Sequence, residues 1–188
     1  MGYIREYYER FRKLDEAEWT LIAAHFKRWV FRKNERVVKL GETENYLSFI
    51  ESGLIRCYIP GEEEEHTFHF HFDREFTCAY DSFLTRNPSE YELQALSPTV
   101  AWRISYEDLQ QVYAATVAGN YLGRFTAEKL LLAKTKREIN LVKYNATERY
   151  LRLLIEDPRV VQQVPLKYIA SYLGMTPQAL SRIRRQIS

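Results

Sequence analysis

The chain has 188 residues, 46% of them hydrophobic and 14% aromatic, with 28% charged side chains and a formal net charge of +2. That length and apolar content suffice for one substantial core or a core with a small satellite, and exclude a disordered chain. No run approaches the ~18 uninterrupted apolar residues of a membrane span. Two cysteines, Cys57 and Cys78, form no C-x-x-C pair and supply too few thiolates for an iron–sulfur cluster.

Those cysteines read as free, partly buried thiols of a reducing compartment. The first six residues, Met1 to Glu6, contain no apolar core of a secretory signal. Gly2 invites myristoylation, but Glu6 stands where Ser or Thr is needed. A soluble cytoplasmic protein with no membrane partner is expected.

Residues 3–27 read as helix, with Leu14, Ala17, Leu21, Ile22 and Phe26 at helical spacing and Asp15 placed to cap the part after Leu14. From residue 27 to 104 the period changes to short apolar runs, at 29–31, 37–40, 46–50, 54–59, 67–72, 91–96 and 100–104. Turn residues separate them: Lys33-Asn34, Gly41, Ser52-Gly53, Pro60-Gly61, Asn87-Pro88 and Ser97-Pro98. Many short strands at this spacing predict a β-sandwich or barrel, with the acidic run 62–65 as a solvated hairpin tip.

Ser105 and Asp108 mark a helix start. A long helix is predicted over 117–143, where Ala118, Tyr121, Phe125, Leu132, Ile139 and Val142 lie near one seam that Glu128 and Thr135 interrupt. Such a helix carries more apolar face than one small domain covers, so it predicts a homodimer seam through Tyr121, Phe125, Leu132 and Ile139. Asn145 with Glu148 caps a further helix over 146–156, with Tyr150, Leu151, Leu154 and Ile155 on one side, and Asp157-Pro158 ends it. A domain boundary is placed near Asn145.

The last segment, from Pro165, carries Lys167, Arg182, Arg184 and Arg185 and no acid, so the rest of the chain is slightly acidic. A local basic block on a near-neutral protein is a nucleic-acid footprint. Pro165 can open a first helix at its N1 position, Ile169 and Leu173 face inward, Ala170 is small where helices cross, and Gly174 supplies a left-handed helix end. Thr176 caps a second helix, Pro177 takes its first position, and Leu180 and Ile183 face the core. Gln178, Ser181, Arg182 and Arg185 point outward. In a helix-turn-helix such a face enters the major groove, where Gln pairs with adenine and Arg with guanine. Candidate DNA-binding residues are therefore Lys167, Thr176, Gln178, Ser181, Arg182, Arg184 and Arg185.

With these residues assembled, the chain resembles the Crp/Fnr superfamily of bacterial transcription regulators over nearly its whole length. The run 165–185 is similar to the family's helix-turn-helix, and Ile50-Glu51-Ser52-Gly53-Leu54-Ile55-Arg56 to its strand–Gly–strand passage. Residues 83–85, 91–96 and 104–109 resemble the end of its cyclic-nucleotide-type jelly roll. The resemblance implies an α+β fold: an N-terminal jelly-roll β-barrel sensor with its leading helix over 1–116, a dimerisation helix over 117–144, and a helix-turn-helix domain over 145–188. It implies duplex DNA, a second copy of the chain and RNA polymerase as partners, with a small-molecule effector and no cofactor. The effector pocket would involve Glu75, Tyr80, Asp81, Ser82 and Tyr91.

The chain departs from the family where cyclic AMP binds. Members that bind it carry a cassette resembling G-E-x-x-G followed by R-S or R-T and Ala. Here the stretches are Arg74-Glu75-Phe76-Thr77-Cys78 and Ser89-Glu90-Tyr91, in which only Glu75 matches and Glu90 stands about where an arginine would pair the phosphate. A cyclic phosphate needs bare backbone N–H groups and a guanidinium, so cyclic AMP is not the expected effector. The sequence also stops three residues after Arg185, so the β-wing of many members is expected to be missing.

One competing pattern exists. His69-x-His71-x-x-x-Glu75 resembles the first metal motif of cupins, which are jelly rolls too, and would give a metal- or small-molecule-binding protein. The later cupin histidine is missing, and alternation with aromatic residues on a half-exposed strand face accounts for the pattern as well. No nucleophile–base motif, Walker loop or G-x-G-x-x-G occurs, so nothing points to an enzyme.

Overall fold

A computed structural model describes residues 1–62 and 64–187, so Glu63 of the acidic hairpin tip and Ser188 of the C-terminal segment lie outside the described residues. The N-terminal helix predicted over 3–27 is two helices, α1 (Gly2–Glu9) and α2 (Glu16–Ala24). Asp15 causes the restart: its carboxylate accepts the Glu18 N–H at 2.7 Å. The end of the predicted helix is strand, because Lys27 pairs with Arg103 across a ladder.

Eight strands follow: β1 (Lys27–Phe31), β2 (Arg36–Val38), β3 (Tyr46–Ser52), β4 (Leu54–Ile59), β5 (His66–Phe72), β6 (Phe76–Thr77), β7 (Glu92–Ala95) and β8 (Thr99–Ser105), with the short helix α3 (Tyr80–Thr85) between β6 and β7. They form two antiparallel sheets with interleaved strands, β1-β8-β3-β6 and β2-β7-β4-β5. Phe31, Ala95 and Ala101 pack together, as do Ile50, Ile55 and Leu93, so the inner faces of both sheets share a core. The β3–β4 turn requires glycine: Gly53 has φ +124°, and a Cβ there would lie 2.8 Å from the Thr99 backbone.

Helix α4 (Tyr106–Ala115) starts at Ser105, whose hydroxyl accepts the Asp108 N–H at 3.0 Å. Helix α5 (Val117–Lys143) matches the predicted long helix, and Thr116 caps it. Together α1, α2, α4 and the first turns of α5 cover the open side of the β1-β8-β3-β6 sheet in one apolar cluster around Phe49, Phe76, Ile104 and Leu122.

The remaining helices are α6 (Ala146–Glu156), α7 (Pro158–Gln163), α8 (Leu166–Leu173) and α9 (Pro177–Ile187). Asn145 and Glu148 form the predicted capping box at α6. The inward side of α6 differs from the expected one: Tyr150, Leu153 and Leu154 pack inward, whereas Leu151 and Ile155 are exposed. Pro158 does not only end α6 but opens α7. A second apolar cluster joins α6–α9 to Leu54, Phe70, Phe72 and Leu96 of the β-domain, so the C-terminal helices are seated on the strands of their own chain.

Candidate nucleic-acid interface and ligand cavity

The sequence of α8 and α9 dictates a tight helical corner. Ile169, Ala170 and Leu173 bury one face of α8. Gly174 ends it at φ 69°, the left-handed conformation that suits glycine, and the Met175 N–H returns to the Ala170 carbonyl at 3.0 Å. Pro165 sits at the N-cap just before the helix, rather than at the N1 position expected for it. Thr176 accepts the Ala179 N–H at 3.2 Å, Pro177 begins α9, and Leu180 is fully buried.

The opposite face of α9 is open. Gln178, Arg182 and Arg185 are exposed, and with Pro177 and the half-buried Ser181 they line one shallow concave surface. The structure thus brings four of the seven candidate DNA-binding residues together. Thr176 serves as the cap at the start of this surface. Arg184 is exposed on the same helix, and Lys167 is exposed on α8 with its ammonium over the Tyr168 ring.

A cavity of about 310 Å³ lies between the β-domain, α5, α6 and α8. Tyr80 and Tyr91 line it as expected, but Glu75, Asp81 and Ser82 do not. Each of these three is committed elsewhere. Glu75 accepts the Phe72 N–H at 3.1 Å and pairs with Arg159 of α7 at 3.0 Å. Asp81 accepts the Tyr91 hydroxyl at 2.7 Å. Ser82 is buried, accepting the Glu44 N–H and donating to the Asn87 carbonyl.

Instead the cavity wall includes His69 and His71, which do not occupy a half-exposed outer face but line the interior. Their alternation on β5 puts both rings on one side, 4.4 Å apart, while Phe70 and Phe72 pack with α6–α9. Burial, then the charges of Arg137 and Lys134, push His69 down to about 4. Burial and the neighbouring His69 push His71 well down. Both rings are neutral at pH 7. Burial pushes the Cys57 and Cys78 thiols up, so neither is a thiolate.

The weaker metal reading is corrected at its third ligand, because Glu75 is held by Arg159 outside the cavity. Among the described residues no group of three His, Cys, Asp or Glu side chains is placed to hold a metal ion.

The opposite wall had no local sequence signal. Lys134 and Arg137 come from α5, Arg149 and Leu153 from α6, and Tyr172 from α8. Only the tertiary fold brings them over β5.

The predicted seam on α5 is divided between two environments. Phe125 lies 3.9 Å, centroid to centroid, from Phe11 near α1, and Tyr121 packs on the first apolar cluster, so both face their own chain. Leu131, Leu132, Ile139 and Val142 are exposed, Val142 at 90%. Among the described residues no helix is long and apolar enough to cross a membrane.

Residues 28–116 match the family model of the cyclic nucleotide-binding domain. No curated protein matches the chain significantly in sequence. Among solved structures the chain is similar to FixK2 from Bradyrhizobium japonicum, at 18% identity and TM-score 0.74, over 86% of this chain and 84% of that one. It is also similar to CLP, the c-di-GMP responsive global regulator of Xanthomonas campestris, at 18% identity and TM-score 0.70, over 92% and 91% of the two chains. A third is a protein from Eubacterium rectale described as a regulator of the Crp/Fnr family, at 20% identity and TM-score 0.68, over 97% and 87%. At these identities the likeness is one of fold, and the resemblance drawn from the sequence holds at that level.

Proposed function

We propose, for a chain that shares the Crp/Fnr fold and carries a cyclic nucleotide-binding domain, that it is a DNA-binding transcription regulator acting as a homodimer. The interleaved strand order supports reading 1–116 as a jelly-roll sensor. In this reading 117–144 joins two copies, 145–188 is the DNA-binding domain, and RNA polymerase is a further partner. The observation that carries the proposal is the outward face of α9: Gln178, Ser181, Arg182 and Arg185 line one open surface along a helix that Leu180 anchors, with Gln178 in its first turn.

Gln178 and Arg182 are one turn apart and reach base edges, while Lys167, Arg184 and Arg185 serve the phosphate backbone. Two such helices in a dimer would meet successive major grooves ~34 Å apart on a two-fold symmetric site.

Cyclic AMP is not the effector in this reading. Glu75, the one residue matching the phosphate cassette, is tied to Arg159, and Glu90 is an exposed acid. Selection of bound fragments from random duplex DNA, followed by titration of the recovered site, tests the assignment. A two-fold symmetric consensus is expected, and no sequence enrichment would sink the reading. Calorimetry with cyclic AMP tests the second point, where submicromolar binding is the contrary result.

A further inference from the structure

The cavity has an apolar body and an uneven distribution of charge. Five cations border it, Lys134, Lys136, Arg137, Arg149 and Arg152, against one acid, Glu156. Four of the cations are committed. Lys136 and Arg152 both pair with Glu156, at 2.9 and 2.6 Å. Arg149 donates to the Tyr144 and Leu173 carbonyls at 2.7 and 2.8 Å. Arg137 donates to the Tyr172 carbonyl at 3.2 Å and stacks on the same ring at 4.0 Å.

Lys134 is the exception: among the described residues nothing pairs with its ammonium. It borders the same cavity as His69, Cys57 and Cys78 of the strand wall. His69 and His71 also have no hydrogen-bond partner among the described residues, only each other's ring faces. Each neutral imidazole keeps one N–H donor. Lys134 is exposed where it borders the cavity and the two imidazoles are half-buried, so a molecule entering the cavity meets a cation and N–H donors that no described protein group already occupies.

We propose that this cavity binds a small monoanionic organic acid with an apolar body. Its carboxylate is held by Lys134 and by an imidazole N–H of His69 or His71, and its body lies against Phe68, Tyr80, Leu130 and Tyr172. One free ammonium matches one negative charge. A nucleotide fits this chemistry poorly: ribose hydroxyls and a base edge need several polar partners, and Tyr91 already donates to Asp81. Because Tyr172 belongs to α8, the same acid touches the helix that precedes α9. The assignment rests on reading 1–116 as a sensor and names the class of molecule sensed.

The test is calorimetry on the full DNA-free chain with 4-phenylbutyrate and octanoate, their primary amides, and cyclic AMP. The acids should bind, and the amides should bind at least ~10-fold more weakly, the loss expected for one charge-assisted contact. Lys134→Met should reduce acid affinity to that of the amide and leave amide affinity unchanged, which also reports an intact cavity. The proposal is overturned by amides binding as well as acids, by discrimination that survives K134M, by no acid binding at millimolar concentration, or by cyclic AMP binding more tightly than the acids. Titration with the selected duplex DNA separates the two assignments. DNA binding without acid binding removes only the ligand class, and acid binding without DNA binding removes only the regulator reading.

Discussion

The guanidinium of Arg56 in β4 lies 3.9 Å from the ring centre of Tyr168 in α8, a contact that joins the β-domain to the C-terminal helices. Arg56 is only 1% exposed, stacks on Tyr58 from its own strand at 3.8 Å, and is bonded to Gln94 and Glu65. Beside it the Ser171 hydroxyl accepts the Thr67 N–H at 2.8 Å and donates to the Glu65 carbonyl at 2.7 Å.

This joint should loosen when the ring is removed. Tyr168→Ala is expected to cost about 2 kcal/mol, the worth of a desolvated cation–π contact, whereas Tyr168→Phe keeps the ring and should be near neutral. Hydrogen exchange checks it: the Thr67 amide and those of α8 should exchange faster in the alanine variant alone. Equal protection in both variants would mean that the contact does not hold the joint.

Base-reading and phosphate-binding residues should separate in a titration on specific and scrambled duplexes at several salt concentrations. Arg182→Ala is expected to cost about 1–3 kcal/mol per half-site on the specific duplex and to relax preference at one base pair. Lys167→Ala should weaken both duplexes alike and flatten the salt dependence. An equal loss on both duplexes for Arg182→Ala would move base reading elsewhere on α9.

The dimer proposal predicts different outcomes at the two ends of α5. Leu132→Lys with Ile139→Lys should weaken association at least ~10-fold in sedimentation while leaving the folded chain intact, because both side chains are exposed. Phe125→Glu should instead lower thermal stability, by about 2–4 kcal/mol, because it removes a ring packed on Phe11. Unchanged self-association in the lysine variant would place the interface elsewhere.

The depressed histidines predict acid sensitivity. A histidine whose folded pKa lies below its unfolded value is stabilised by the fold only in its neutral form. Its contribution is complete above the ordinary histidine value of 6.5 and is lost as pH falls towards about 4 for His69, which burial and then the charges of Arg137 and Lys134 hold down. The loss over that window is on the order of 3 kcal/mol at most. Glu44 and Glu75, whose pKa values are raised mainly by burial, act in the opposite direction, so the readout is a difference. The melting temperature should fall less between pH 6.5 and 4 in His69→Gln/His71→Gln than in the parent. Parallel curves would remove the histidines from the acid response.

Strand positions were readable because alternating apolar residues and Gly, Pro and Asn turns are local signals. Seven runs anticipated β1–β5, β7 and β8, whereas β6 is two residues long and has no period to detect. The corner of α8 and α9 was equally readable, since Gly174, Thr176 and Leu180 act on near neighbours. The cavity was not. Its expected residues were carried over from a phosphate-binding pattern, yet Glu75 turned to Arg159 and Ser82 to the loop at Glu44. Lys134 and Tyr172 lie far along the chain from His69 and meet it only through packing. On α5 a single apolar stripe hid two environments, because sequence spacing cannot show that Phe11 lies against Phe125.

The pairing of β1 with β8, Phe31 opposite Thr99, has a consequence for synthesis. The β1-β8-β3-β6 sheet stays open along its centre until residue 105 has left the ribosome, since β8 sits between the earliest strand and β3. Until then Phe31 in β1 has no partner strand and β3 is paired only on its β6 side, so the nascent chain presents apolar strand edges that invite pairing with other chains. Such long-range closure is slow compared with helix formation. The helices from α4 onward emerge only after the sheet can close, so their docking surfaces are built before they arrive.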